Sequence, residues 1–196
     1  MKVYRLASPR HDPRLGWGAA RWGGRWNSPG HTVVYTASSL ALACLEVLVH
    51  IQDTTNMPVY AYWELTVPDW AVIRWNSENN PVLASDSGTV GFGDLWLDNV
   101  PRLRAHSSPI ERRRIASGVP FLPARVQEAA GHVYLAIVNT YRLPRQPLPV
   151  QQVPSLIIPQ EWNYLIAPEH VQFGRIKWSD PRPFVFDPRL LHRSNP

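Results

Sequence analysis

The sequence predicts an α+β fold, a single domain (1–196) of mixed β-sheets with a few helices. Three observations carry this. Short β-branched or alternating stretches recur along the chain and outnumber the helical ones. The 196 residues suit one domain with a sizeable core. Apolar residues make up 44% and charged residues 18%, a balance that points to a packed rather than a disordered chain.

In chain order, Val3–Leu6 reads as an opening strand. From His11 to Gly24 the chain holds four of its eleven glycines, with Trp17 and Trp22, and a structured loop is expected. Thr32–Thr36 is a β-branched strand. Ser38 or Ser39 is placed to cap a helix running to about Ile51. From Leu40 to Val49 every residue except Glu46 is apolar, and a helix apolar all round is expected to be buried. Val59–Val67 alternates as a strand does, and Ala71–Trp75 is a second candidate. Asn76–Gly93 is polar and reads mostly as loop, Phe92–Asp98 as a short helix. Ser108–Ser117 reads as a basic helix, His132–Thr140 as a buried strand and Arg142–Gln152 as a proline-rich extended segment. Val153–Ile158 is a strand whose Pro154 fits an edge or a bulge. Phe173–Trp178 and Phe184–Phe186 are expected to pair as late strands.

Composition narrows the chemistry. The net charge is +5, and the basic residues are nearly all arginine, with Lys2 and Lys177 the only lysines. That suits an anionic ligand or partner, or is mere composition. Cys44 is the only cysteine, which excludes an intrachain disulfide; within an apolar helix it reads as core rather than nucleophile. The opening MKVYRLASPR lacks the apolar run of a signal peptide, and no run of 18 apolar residues exists. A soluble, cytoplasmic protein without membrane contact is expected. There is no Walker A motif, no G-x-G-x-x-G and no G-x-S-x-G elbow. His50 shares a helix face with Glu46, yet no H-E-x-x-H or cysteine set supports a metal, and none is expected. Glu111–Arg114 reads as a solvated face or partner contact. Trp22, Trp26, Trp63 and Trp162 sit in patterned segments and are expected to pack.

Four residues carry candidate chemistry. Arg25 lies in a Gly-Gly-Arg turn, where the backbone can approach a ligand and a guanidinium can grip phosphate; alternatively it is solvated or pairs with Glu46. Tyr35 ends a strand, where its ring can stack on a flat heterocycle and its hydroxyl bond a ribose, or where it simply packs. Glu46, alone in an apolar helix, requires a partner such as Arg25 or a hydroxyl. It can stabilise a developing positive charge, orient a sugar hydroxyl, or serve a structural ion pair. Ser155, in Val-Pro-Ser-Leu-Ile-Ile-Pro, can hydrogen-bond Glu46 or a ligand.

These residues sit in an ordered series of short motifs. They begin with Val3-Tyr4-Arg5-Leu6, Arg21-Trp22-Gly23-Gly24-Arg25-Trp26-Asn27 and Val34-Tyr35-Thr36, and continue through Leu40–His50 with Glu46 to Gly93-Asp94-Leu95-Trp96-Leu97. The last are Val153–Pro159, Asn163-Tyr164-Leu165, His170 and Phe186-Asp187-Pro188-Arg189-Leu190. In this order they resemble the RES-domain family, the toxins of Xre–RES toxin–antitoxin systems. The resemblance implies a fold like that of ADP-ribosyltransferases with an NAD cleft between sheets. It implies NAD as substrate, with no prosthetic group, and Arg25, Tyr35, Glu46 and Ser155 as the family's arginine, tyrosine, glutamate and serine. It further implies a small helical Xre-like antitoxin as partner, in an oligomeric complex. Residues 103–150 form a longer segment than the family leads one to expect.

The activity expected on this basis is cleavage of the nicotinamide–ribose bond of NAD, with water or phosphate as acceptor, arresting growth. Glu46 would stabilise the oxocarbenium-like transition state, Arg25 would clamp the pyrophosphate, Tyr35 would stack on nicotinamide, and Ser155 would position Glu46 or the ribose. Three rivals remain: transfer of ADP-ribose to a protein, an arginine- and tryptophan-rich nucleic-acid-binding module, although direct nucleic-acid binding is not expected, and a non-catalytic homologue that only binds a partner.

Overall fold

The computed structural model describes residues 1–51, 57–74, 86–99 and 148–191. Within them the chain forms one mixed sheet, strands β1 (Lys2–Ala7), β2 (Val34–Ala37), β3 (Tyr60–Thr66), β4 (Val72–Arg74), β5 (Val150–Pro154), β6 (Trp162–Ile166), β7 (Lys177–Trp178) and β8 (Arg182–Phe184). Their order is β4-β5-β6-β2-β1-β3-β7, with β8 also on β3. The β4–β5 pair is parallel and the others are antiparallel. Three helices accompany the sheet among the described residues, α1 (Trp17–Trp22), α2 (Leu40–Leu48) and α3 (Asp86–Asn99). The α+β expectation holds.

Strand burial follows from position in the sheet. In β3 the alternate residues Ala61, Trp63 and Leu65 are buried, the period-2 pattern of a strand with one face on the core. In β6, by contrast, Tyr164, Leu165 and Ile166 are buried consecutively, as a strand covered on both faces must be. One face carries Val3, Val34, Trp63, Leu65 and Ile166; the other receives Trp26, Phe92, Trp96 and Leu97 against Val153 and Leu165.

Several expectations are corrected. The expected loop over His11–Gly24 contains α1, a short helix that Gly23 ends at φ 73°, a conformation that favours glycine. The polar segment before Gly93 is helical from Asp86 onward. Helix α2 is capped by Ser39, whose Oγ accepts from the Leu42 amide at 3.1 Å, but it is not buried all round. Only Leu42, Ala43 and Cys44 are buried, because α2 lies on one side of the sheet with Val49 exposed. Burial raises the Cys44 thiol pKa, consistent with a core residue. The strand expected over Val153–Ile158 ends at Pro154. There the Ser155 hydroxyl accepts from the amides of Ile157 and Ile158, each at 3.1 Å, and turns the chain into β6. The two late strands do not pair with each other: β7 and β8 both join β3, at opposite ends. Trp26 and Trp63 pack as expected, whereas Trp22 is 74% exposed. The readings over 108–117, 111–114 and 132–140, and nearly all of 103–150, fall outside the described residues.

The sheet has one discontinuity. Strand β1 matches β3 along six residue pairs, Lys2–Thr66 to Ala7–Ala61, yet it meets β2 at the single pair Tyr4–Ala37. The sheet therefore splays open between β1 and β2.

Candidate active site

A cavity of about 670 Å³ opens at this split. Its floor comes from β1 and β2, through Tyr4, Arg5, Leu6, Tyr35 and Thr36. The Gly23–Trp26 turn forms one wall; Glu46 of α2 and Asn163 of β6 form another.

Arg5 crosses the gap in the sheet. Its Nη1 donates to the Tyr35 carbonyl at 2.7 Å, in the place where a ladder bond between β1 and β2 would run. Its Nε is buried with no partner among the described residues. Burial pulls the guanidinium down to about 10, so it remains charged at neutral pH. A half-buried cation with no described carboxylate against it, lining a cavity, is suited to an anion.

The Arg25 turn is built on Asn27, which is 1% exposed. The amide of Gly24 donates to the Asn27 carbonyl at 2.9 Å. The Asn27 Nδ2 lies 3.0–3.1 Å from the carbonyls of Ala19, Ser28 and His31. Tyr35 locks the turn from below: its hydroxyl donates to Asn27 Oδ1 at 2.7 Å and accepts from the Trp26 amide at 3.1 Å. Burial pushes the Tyr35 phenol well above its ordinary range, with Asp94 and Glu46 adding to the effect, so it stays protonated and able to donate.

Glu46 is half-buried and held through one oxygen. Its Oε1 accepts from Ser155 Oγ at 3.0 Å and from Asn163 Nδ2 at 2.5 Å. Among the described residues Oε2 takes no such bond, so that oxygen is left for the cavity. Ser155 is 1% exposed and stands behind Glu46, off the cavity wall. Its hydroxyl takes two backbone amides as acceptor and donates its own proton to the carboxylate, which fixes both its rotamer and its role.

All four residues that the sequence singles out thus gather here, with Arg25 and Glu46 on the walls, Tyr35 in the floor and Ser155 behind Glu46. Sequence reasoning misses Arg5 and Asn163. Their signals are a charged residue in the short strand Val-Tyr-Arg-Leu, an amide in the largely apolar strand Trp162–Ile166, and a place for each in the ordered series of motifs. Among the described residues no three His, Cys, Asp or Glu side chains group as metal ligands, and no helix is long and apolar enough to cross a membrane.

The chain matches the RES domain over residues 2–187 and belongs to that family. It is 28% identical to a protein named Toxin Res from Yersinia enterocolitica, over 97% of this chain and 99% of that one. It is 33% identical to the Prs ADP-ribosylating toxin of a Sphingobium species, over 93% of this chain and 89% of that one. The fold is shared with a chain in the crystal structure of the Mycobacterium tuberculosis MbcT–MbcA toxin–antitoxin complex, with TM-score 0.51 and 18% identity over 97% of this chain and 86% of the other.

Proposed function

We propose that this RES-domain protein is an NAD-consuming toxin that breaks the nicotinamide–ribose bond, with water or inorganic phosphate as acceptor. The observation that carries the reading is the pairing of opposite charges across one cavity. A carboxylate is presented on one wall through an oxygen that takes no hydrogen bond among the described residues, and a half-buried guanidinium with no described carboxylate against it lies in the floor. NAD has the matching pattern, a cationic nicotinamide ribose at one end of an anionic pyrophosphate.

In this reading Arg5 and Arg25 receive the pyrophosphate, and Tyr35 lines the space for the nicotinamide ring. The bond between ribose C1 and the ring nitrogen breaks with its electron pair leaving on nicotinamide, which departs neutral. The ribose is left as an oxocarbenium-like cation, and Glu46 Oε2 stabilises it in a water-poor site. Water then adds at C1 and loses a proton, giving ADP-ribose; phosphate in its place gives the 1-phosphate. Ser155 and Asn163 act through Glu46, holding the carboxylate at the reacting carbon.

The homology to a protein named as an ADP-ribosylating toxin favours a second reading, transfer of ADP-ribose to a protein acceptor. Bond cleavage is common to both, and only the attacking group differs. A toxin needs an inhibitor, so an Xre-like antitoxin that closes the cleft is part of the proposal, as is action in the cytoplasm. A nucleic-acid-binding module would instead bind with steep salt dependence and show no turnover.

Nicotinamide release from NAD by purified protein, with and without inorganic phosphate, tests the reading. Wild type is expected to release it, and Glu46→Ala to lose about 1,000-fold in kcat while staying folded. Dependence on phosphate would separate phosphorolysis from hydrolysis. No release without a protein acceptor, but label transfer with one, would select the second reading.

A further inference from the structure

The wall that carries Arg25 is fastened from outside the cavity. Three contacts join the turn to α3. The carbonyl of Trp26, the residue after Arg25, lies so close to Gly93 that a Cβ there would come within 1.6 Å of it. One residue on, Asp94 Oδ1 accepts from the Ser28 amide at 2.8 Å. The His31 ring lies between Asp94 and Asp98, one turn apart on α3. Its Nε2 is 3.1 Å from Asp98 Oδ1. Its Nδ1 stands 3.3 Å from Asp94 Oδ1, within ion-pair range though off the line of a hydrogen bond. His31 is only 11% exposed, and Asp94 and Asp98 are 21% and 14% exposed, so these contacts are largely shielded from water. The chain from Ser28 leads directly back to Asn27, the acceptor of the Tyr35 hydroxyl.

We propose that Asp94, supported by His31 and Asp98, is a positioning residue for the arginine turn, setting from α3 how Arg25 and the Tyr35 hydroxyl face the cavity. Its consequence for substrate rests on the NAD reading above. None of the described residues of α3 lines the cavity, so Asp94 acts from behind the wall, through the turn and through its charge near the Tyr35 phenol. The Glu46 wall is independent of it, being held from the β5–β6 connection and from β6. Loss of Asp94 should therefore weaken substrate binding and leave the bond-breaking step largely intact.

The test is the kinetics of Asp94→Ala and Asp94→Asn, together with amide hydrogen exchange over residues 23–31 without substrate. Asp94→Ala is expected to raise KM for NAD about tenfold and change kcat by less than about threefold. Asp94→Asn, which keeps the Oδ1 acceptor for Ser28, should recover most of that loss. In an Arg25→Ala background Asp94→Ala should add only what reaches the substrate through Tyr35, well short of full additivity. An unchanged KM in folded Asp94→Ala, or full additivity with Arg25→Ala, overturns the proposal; a merely structural role would lower Tm without moving KM. If Asp94→Ala does not fold, His31→Gln, which leaves the Ser28 bond in place, meets the same two outcomes. Faster exchange in Asp94→Ala beside a wild type that never turns over NAD would sink the NAD reading and keep the positioning role. Unchanged exchange beside normal wild-type turnover would do the reverse.

Discussion

Glu46 stands on a helix and is fixed by two neutral side chains of the β5–β6 hairpin, Ser155 and Asn163. Arg25 stands in a turn fixed by backbone bonds, by the Tyr35 hydroxyl and by α3. On the proposed reading the difference suits the task of each group. A carboxylate that stabilises a charge existing only in the transition state must hold one oxygen still, and donors on a sheet do this with little freedom. A guanidinium that binds a charge present throughout gains from a turn, whose glycines let the chain approach the ligand. Changes on the carboxylate side should therefore appear in kcat and changes on the cation side in KM, a division that mutants can break.

The largest effect in this comparison is expected from the pair behind Glu46. Ser155→Ala and Asn163→Ala together remove both donors to Oε1, and kcat should fall about 100-fold with KM within about threefold. Each single change should cost about tenfold, because the remaining donor still orients the carboxylate. A rise in KM at constant kcat, measured by nicotinamide release, would show that these residues serve binding and would end the division.

Much of the carboxylate side is legible in the sequence because its signals are local. Glu46 is the lone charge in an apolar run, Ser39 is a cap at the right distance, and Ser155 is a hydroxyl between apolar residues. Asn163 is not legible as a partner, since 117 residues separate it from Glu46 and only the sheet brings them together. The cation side is less legible throughout. Helix α1 is bounded by glycines that equally signal a loop. Helix α3 begins in a polar stretch, and its buried Phe92 and Trp96 pack in one cluster with Trp26, far away in sequence. The importance of Arg5 arises from a sheet that opens beside it, and strand patterns say which residues alternate but not where neighbouring strands part.

Arg5 gives the next effect. Arg5→Met should raise KM for NAD about tenfold while kcat changes little. In the folded chain burial above all lowers the guanidinium pKa from its ordinary value to about 10. The folded state therefore holds fewer protons than the unfolded one between those values, and this group's contribution to stability rises with pH across that window. Below about 10 the buried charge is a cost, which an anion in the cavity would offset. ADP-ribose at saturating concentration should raise the Tm of wild type by several degrees and that of Arg5→Met by much less. An equal rise in both would place the pyrophosphate away from the floor.

The smallest effect should come from the mouth of the cavity. Trp22 is 74% exposed and carries the Arg21 guanidinium 4.8 Å from its ring centre; Val49 and Leu156, also exposed, line the same opening. A side chain this open contributes little to the core, and an exposed cation–π contact is worth about 0.5–1 kcal/mol, so Trp22→Ser should leave Tm within a few degrees of wild type. It touches neither Glu46 nor its donors, which leaves kcat as it was. What it can remove is apolar surface that a bound dinucleotide would cover on its way into the cleft, and KM should rise about threefold. A fall in kcat beyond about tenfold would show that the mouth closes over the reacting bond, and the division between a binding wall and a reacting wall would then have to extend to a third element, α1.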